Sequence, residues 1–218
     1  KSAGSSTMPL TIRTIVGKGW GQGPQHAKSM QSWFSHIPGL SVVNPSSAYE
    51  AKGLLLSSIF SNFPTIFIEN RSLYSQEEHV PSENYFIKPT RANIKIVGKD
   101  ITIVGFGSST QHAMNVCDML KIKNISAEVV DLRSLNPIDY NLIIKSVKKT
   151  KNLAVIENGW PNASIASTII SEIVQKQMLK NPPLSFCWPN SHVPTSYKLE
   201  EKFYFTDERI FNAIKKIF

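Results

Sequence analysis

The chain has 218 residues, of which 41% are hydrophobic and 18% charged, with 24 Lys and Arg residues against 16 Asp and Glu. This length allows one large domain or two modest ones, and the apolar fraction excludes an intrinsically disordered chain. No apolar run approaches the length of a membrane span and no signal-peptide pattern is visible, so the sequence predicts a soluble, cytoplasmic protein.

In the first part of the chain, short apolar stretches alternate with amphipathic ones, which is the pattern of a parallel sheet covered by helices. The pattern predicts strands over residues 9–13, 40–44 and 65–69. It predicts a glycine-rich loop over residues 17–24, a helix that carries His26, Met30, Trp33 and Phe34, and a helix over residues 48–60 that starts after Ser46 and Ser47.

Residues 77–99 are polar, contain two prolines and keep no helical period, so they are predicted to be a linker. We therefore divide the chain into residues 1–89 and residues 90–218. In the second part the pattern predicts strands over residues 101–105, 125–132, 153–157 and 184–188. It predicts helices over residues 109–121, 138–149 and 163–180 and a last helix from about residue 206, with one buried apolar stripe.

The net charge of +8 is spread along the chain, with +2 in residues 1–89 and +6 in residues 90–218. The one dense basic run, residues 145–151, ends a predicted helix, where cations are stabilising. Only five of the 24 basic residues are Arg, the residue favoured for reading phosphates and bases. We therefore predict no nucleic-acid or membrane partner. Cys117 and Cys187 are predicted to be reduced packing residues, and no Cys/His spacing fits a metal site.

The turn GFGSST at residues 105–110 imitates a dinucleotide-binding fingerprint, because it follows a strand, opens a helix and precedes Asp131 at the end of the next strand. The third glycine of the fingerprint is replaced by Thr110. Two interpretations stay open: an NAD site in an oxidoreductase, or a purely steric turn in which Ser108 or Ser109 caps the helix.

The loop over residues 17–23 contains four glycines and leads into His26. It lacks the Gly-Lys-Ser/Thr ending of a phosphate loop. Glycines at the start of a helix indicate a mobile or closely approached backbone, and histidine exchanges protons near neutral pH. His26 is therefore the candidate catalytic residue, with a structural histidine as the alternative. The other histidines have less support.

Three carboxylates, Glu50, Glu69 and Glu157, are candidates for buried positions at element ends, but spacing gives none of them a partner. We predict that they are structural. Glu69 and Glu157 are expected to pair with a cation or to cap a helix.

A series of ordered motifs runs through nearly the whole chain. In the first part they are GPQHAKS at 23–29, HIPGL at 36–40, AKGLL at 51–55 and PTIFIE at 64–69. In the second part they are DITIV at 100–104, AEVVDLRSLNPID at 127–139, SVKKT at 146–150, ENGWP at 157–161 and HVP at 192–194. Together they resemble the β subunit of the thiamine-diphosphate-dependent decarboxylase component of 2-oxoacid dehydrogenases, the group of pyruvate, branched-chain and acetoin enzymes.

The resemblance implies part of a pyrimidine-binding domain with a parallel sheet over residues 1–89. It implies a transketolase C-terminal domain of three α/β/α layers over residues 90–218. The implied activity is decarboxylation of a 2-oxoacid and transfer of the acyl group to a lipoyl partner. It requires an α subunit, a second β subunit in a heterotetramer, and a lipoyl acyltransferase core. The implied cofactors are thiamine diphosphate shared with the α subunit, magnesium held through that subunit, and potassium.

In the family, the loop histidine faces the thiazolium end of the cofactor and is associated with proton and acyl transfer, and His26 matches it. The family's potassium site uses backbone carbonyls around a helix end that matches Ser58, Ser61 and Phe63. The glutamate that activates the cofactor is expected upstream of Lys1. No cofactor-binding residue is therefore assigned in this chain, and the fragment alone is expected to be inactive.

Two alternatives to this function stay open. The stretch over residues 19–26 resembles divergent transketolase-like members associated with cell-surface sugar pathways, which would change both substrate and acceptor. Because the activating residues are expected outside the chain, the second alternative is a non-catalytic assembly or docking module.

Overall fold

The computed structural model describes residues 6–17 and 21–218, which form two sheets and their covering helices. The first part contains β1 (Thr11–Val16), α1 (Gly23–His26), α2 (Gln31–Ser35), β2 (Ser41–Val43), α3 (Ala48–Ile59) and β3 (Thr65–Asn70). The second part begins with β4 (Asn93–Ile96), β5 (Ile101–Gly105), α4 (Ser108–Lys121), β6 (Ala127–Asp131) and β7 (Ser134–Asn136). It continues with α5 (Tyr140–Thr150), β8 (Leu153–Ile156), α6 (Ile165–Lys176), β9 (Leu184–Phe186), α7 (Tyr197–Phe203) and α8 (Asp207–Lys215).

The second sheet has the order β4-β6-β5-β8-β9 and is parallel except for β4. Successive side chains of a strand point to opposite faces. Ile101 and Ile103 of β5 therefore pack with α4 and α8, and Val104 packs with α5 and α6. Thr102 lies on the α5 face, where its hydroxyl is 2.6 Å from the Ser146 hydroxyl. The predicted three-layer α/β/α fold is confirmed.

The first sheet has the order β1-β3-β2-β7. Its strands β1, β3 and β2 are parallel, as predicted, but the antiparallel strand β7 comes from the second part of the chain. Leu54 of α3 packs on one face of this sheet, and Ile66 and Ile68 on the other face join the core that contains α5 and α6. The two parts of the chain thus share a core and a sheet, and the division at residues 89 and 90 stays a prediction.

The predicted linker is more ordered than its composition indicated. Residues 93–96 form β4, which pairs with β6, and Ile87 packs against α3. The Tyr85 ring stacks on Tyr49 with a centroid distance of 4.6 Å. The prediction of residues 77–99 as a linker was therefore wrong in its second half. Helix α7 was also missed.

Three of the predicted helices, α3, α6 and α8, begin where expected because a hydroxyl side chain caps each of them. Ser47 accepts a hydrogen bond from the Glu50 N–H at 3.3 Å, and Thr206 accepts one from the Arg209 N–H at 3.3 Å. Cys117 and Cys187 are free thiols, as predicted. None of the helices in the described ranges is long and apolar enough to cross a membrane.

Candidate active site around the histidine segment

His26 is the last residue of the one-turn helix α1, and its side chain is exposed. Pro24 lies in the first turn of this helix, and the Ala27 N–H closes it by donating to the Gly23 carbonyl at 3.1 Å. The chain then leaves the helical conformation until α2 begins at Gln31. The single helix predicted to carry His26 and Phe34 is therefore wrong. We refer to residues 21–31 as the histidine segment.

Glycines hold the start of the histidine segment against the second part of the chain. Gly21 and Gly23 have φ angles of 61° and 56°, a region that favours glycine. A Cβ atom on Gly23 would lie 2.1 Å from the Thr195 hydroxyl oxygen. The predicted close approach of the backbone is confirmed at this position. The rest of the predicted glycine-rich loop, Lys18, Gly19 and Trp20, lies outside the described residues.

The other end of the histidine segment is held by a buried carboxyl group. Glu157 follows β8 and is completely buried, and it accepts a hydrogen bond from the Gln31 amide at 2.9 Å. Its second oxygen accepts the Ala166 N–H at the start of α6, at 2.8 Å. The side-chain amide oxygen of Gln31, Oε1, in turn accepts a hydrogen bond from the Ser29 hydroxyl at 2.6 Å. The predicted structural role of Glu157 as a helix cap is confirmed.

Burial sets the ionisation of Glu157. Desolvation raises its pKa to about 7, and the hydrogen bonds from Ala166, Gln31 and Ile165 act in the opposite direction. The carboxyl group therefore changes its charge near neutral pH while it contacts the histidine segment.

A groove of about 1470 Å³ runs beside the histidine segment, between α2 and the start of α6. Its walls are mainly apolar and include Trp33, whose side chain is 71% exposed. Three basic residues also line it, namely Lys28, His36 and His192. The groove can therefore receive an apolar group that carries negative charge.

The GFGSST turn follows β5, and the next two strands of this sheet along the chain, β6 and β8, lie on opposite sides of β5. Open α/β sheets bind ligands at such a point, where the strand order reverses. Asn70 fills this position. Its Oδ1 accepts the Ser108 N–H at 3.1 Å and the Asn44 amide at 3.0 Å. Gly107, at a φ of 50°, packs so closely that a Cβ atom would lie 2.1 Å from Asn70 Oδ1.

The steric interpretation of this turn is therefore favoured over an NAD site, because Asn44 and Asn70 pack tightly against Gly107 and Asn70 already accepts the Ser108 N–H. The predicted cap was wrong. Gly107 occupies the N-cap position of α4, and the Ser109 hydroxyl instead accepts the Phe106 N–H at 2.9 Å.

Sequence spacing missed a buried charged cluster between the two parts of the chain. Glu50 accepts hydrogen bonds from Lys95 at 2.7 Å and from Arg133 at 3.0 Å. The Ser46 hydroxyl donates to Asp131 at 2.6 Å and lies 3.2 Å from Glu50. Burial and the nearby Glu50 charge raise the pKa of Asp131 to about 8. The signal available in the sequence was the DLR run, whose arginine follows a buried strand.

Glu69, the third carboxylate, pairs with Arg13 at 2.5 Å, as predicted for a structural residue. Three further histidines, His36, His112 and His192, line cavities. His112 contacts Asp207 at 2.5 Å, and His192 lines the groove. His26, by contrast, is the histidine placed on the glycine-anchored segment.

The predicted potassium residues lie together at the end of α3. The Ser58 carbonyl accepts the Ser61 N–H at 3.2 Å, and the Ser61 hydroxyl accepts the Phe63 N–H at 3.1 Å. The Phe63 carbonyl accepts a hydrogen bond from the Thr65 hydroxyl at a longer distance, 3.4 Å. Carbonyl oxygens of this kind suit potassium, so the donor chemistry fits. A potassium site here stays a prediction.

Comparisons with known proteins agree on one family. Residues 90–210 match the transketolase C-terminal domain and residues 2–77 match the transketolase pyrimidine binding domain. The chain is 37% identical over 215 residues to the acetoin:2,6-dichlorophenolindophenol oxidoreductase subunit beta of Cupriavidus necator, covering 98% of this chain and 64% of that protein. It is 38% identical over 199 residues to the pyruvate dehydrogenase E1 component subunit beta of Bacillus subtilis, covering 90% of this chain and 61% of that protein.

A solved structure described as a split gene transketolase, inactive beta4 tetramer, superposes with a TM-score of 0.78. It covers 99% of this chain and 69% of that one at 22% identity, which shows a common fold. The chain spans less than two thirds of the length of the curated relatives that it matches.

Proposed function

The chain belongs to the transketolase family, and we propose that it forms part of the β subunit of a thiamine-diphosphate-dependent 2-oxoacid dehydrogenase. With an α subunit, this enzyme would decarboxylate a 2-oxoacid and pass the acyl group to a lipoyl partner. The observation that carries the proposal is the identity of 37 to 38% with two kinds of relatives, both named as β subunits. The exposed position of His26 on an anchored segment supports it.

The residues of the chain fit one end of thiamine diphosphate. The bound cofactor supplies the carbon centre that stabilises the carbanion left after carbon–carbon cleavage. The His26 imidazole is exposed and would hold or move a proton for that chemistry. The groove along α2, with Lys28, His36 and His192, can receive the 2-oxoacid, whose carboxylate carries a negative charge.

We assign the diphosphate end of the cofactor to the α subunit. The start of α4 is closed by Asn70. Within residues 6–17 and 21–218 no three His, Cys, Asp or Glu side chains are grouped to hold a metal ion. Magnesium prefers carboxylate and phosphate oxygens, so we propose that the α subunit supplies its ligands.

Three further assignments belong to this proposal. We propose a second β subunit and a lipoyl acyltransferase core as partners, because the B. subtilis relative is named as a component of pyruvate dehydrogenase. We propose potassium at the carbonyls of Ser58, Ser61 and Phe63, which would raise the melting temperature in potassium chloride above that in sodium chloride. We propose a cytoplasmic location, since free thiols persist in reducing compartments.

The proposal is tested with the full-length β subunit co-expressed with its α partner. We expect a stable complex that releases carbon dioxide from a 2-oxoacid only when thiamine diphosphate and magnesium are present. Pyruvate, a branched-chain 2-oxoacid and acetoin are the substrates to compare, with dichlorophenolindophenol and a lipoyl domain as acceptors. A stable complex that binds no thiamine diphosphate would contradict the proposal and favour an assembly module. Activity only with an aldehyde acceptor would favour a sugar-pathway enzyme.

A further inference from the structure

The contact between Gln31 and Glu157 joins the histidine segment to the end of β8 in the second sheet. Glu157 lies at the carboxyl end of β8, and Gln31 is 97% buried at the start of α2. Their hydrogen bond of 2.9 Å spans 126 positions of sequence. Ser29 extends the connection into the histidine segment, since its buried hydroxyl donates to Gln31 at 2.6 Å. The hydrogen bonds thus run from the segment through Gln31 to Glu157.

Glu157 is surrounded by hydrogen-bond donors, and among the described residues it has no ion-pair partner. From α2 it faces the Gln31 amide, and from α6 it faces the N–H groups of Ala166 and Ile165. From the residues after β9 it faces Cys187. Burial, and after it the Glu157 charge, raise the pKa of that thiol, which keeps it neutral at physiological pH. Such an arrangement suits a carboxylate that accepts several hydrogen bonds.

We propose that Glu157 is a positioning residue that acts through Gln31 to hold the histidine segment, and with it His26, in its working position. This inference rests on the proposed function, because the working position has meaning only if His26 acts on substrate. Glu157 itself does not touch the exposed imidazole. It contributes by fixing the far end of the segment, while Gly23 and Thr195 fix the near end.

The charge of Glu157 controls the strength of this connection. An ionised carboxylate accepts the Gln31 and Ala166 donors together, and charge-assisted hydrogen bonds are stronger than neutral ones. When the Glu157 oxygen that faces Gln31 is protonated, it becomes a hydrogen-bond donor. The Gln31 amide must then rotate so that its oxygen, rather than its NH2 group, faces Glu157. The raised pKa of Glu157, about 7, places this change near neutral pH. The histidine segment should therefore become looser as the pH falls below about 7.

The test uses hydrogen exchange in the full-length β subunit assembled with its α partner. Gln31→Ala removes the connection but leaves the Glu157 contact with α6. We expect exchange of the histidine segment to be about tenfold faster than in the wild type, as for loss of one hydrogen bond to a charged group. Helix α5 serves as the internal control, because the hydrogen bonds to Glu157 come from Gln31 and from the start of α6. Equal exchange in wild type and variant, or an equal increase in α5, would overturn the proposal.

Glu157→Gln is the matched conservative variant. The new amide can accept the Ala166 N–H with its oxygen and donate its NH2 group to the side-chain oxygen of Gln31, once the Gln31 amide has rotated. The connection therefore survives without charge. We expect exchange of the histidine segment in the wild type to rise relative to this variant when the pH falls from 8 to 6. The same dependence on pH in both proteins would contradict the proposed role of the charge.

Activity supplies a second, separate measurement. For Gln31→Ala we expect kcat to fall about tenfold while KM for the 2-oxoacid stays unchanged, because the segment is misplaced rather than removed. If the assembly has no decarboxylase activity, the proposed function fails, and hydrogen exchange still decides whether Glu157 positions the segment. If exchange is unchanged in an active assembly, only the positioning role fails.

Discussion

The Arg133 guanidinium contacts the Glu50 carboxylate through two nitrogen atoms, at 3.0 and 3.1 Å, although 83 positions separate the residues. Arg133 follows β6 in the second part of the chain, and Glu50 lies in the first turn of α3 in the first part. Both side chains are largely buried. This ion pair, with Lys95, connects the two parts beside the strand β7 that they share.

Removal of the Glu50 carboxylate should therefore destabilise the whole chain. In Glu50→Ala the cations of Lys95 and Arg133 lose their shared partner, and breaking a buried pair in this way costs about 3 kcal/mol or more. Urea unfolding at pH 7 measures the change. Glu83→Ala, at an exposed position, is the control and should alter stability by less than about 0.5 kcal/mol. Equal stability of the two variants would contradict the structural role of the cluster.

Asp131 should make the protein less stable as the pH rises from 5 to 8. Its pKa is raised to about 8, so the folded state retains a proton that the unfolded state releases near its ordinary pKa of 3.8. Stability then falls as the pH increases through this range. Asp131→Asn mimics the protonated form and should show a smaller fall. The measurement is the free energy of unfolding in urea at several pH values, and parallel curves for both proteins would contradict the prediction.

Gly107→Ala should destabilise the protein more than Gly39→Ala. Both glycines have positive φ angles, 50° and 80°, so either alanine is strained by about 1 kcal/mol or more. Only at Gly107 would the new Cβ collide with another group, at 2.1 Å from Asn70 Oδ1 and 2.2 Å from Asn44 Oδ1. The difference between the two variants in thermal or urea unfolding isolates this collision. A loss for Gly107→Ala no larger than for Gly39→Ala would show that the amides move aside at little cost.

The helices and strands could be predicted where the residues that determine them are neighbours in the sequence. Strand β5 and helix α3 were found at nearly their observed bounds, because an apolar strand and a serine-capped helix are both encoded by neighbouring residues. Strand β7 was missed because its three residues become a strand only by pairing with Val42 and Val43, about 90 positions earlier. The break after His26 was missed because Ala27 and Met30 fit a helical period, while Ala27 is buried in the core of the second part.

The candidate site was predictable only in part, for the same reason. His26 could be predicted as a site residue because the glycine-rich loop and the family motif that identify it are formed by residues close to it in the sequence. The partners of Glu50 and Glu157 are not local, since Arg133 and Gln31 lie 83 and 126 positions away. No spacing rule identifies such pairs, although a carboxylate directly after a buried strand was a signal that a partner exists.

We propose that His26 is the catalytic residue that this chain contributes. The decisive measurement is kcat for 2-oxoacid-dependent reduction of a lipoyl domain by the variant His26→Ala, in the β subunit assembled with its α partner. Because the side chain is exposed, stability and assembly should stay unchanged. We expect kcat to fall by a factor of about 10² to 10⁴, as for loss of a general acid or base. His79→Ala, at an exposed position, is the control, and the same kcat for His26→Ala and this control would show that His26 has no catalytic role.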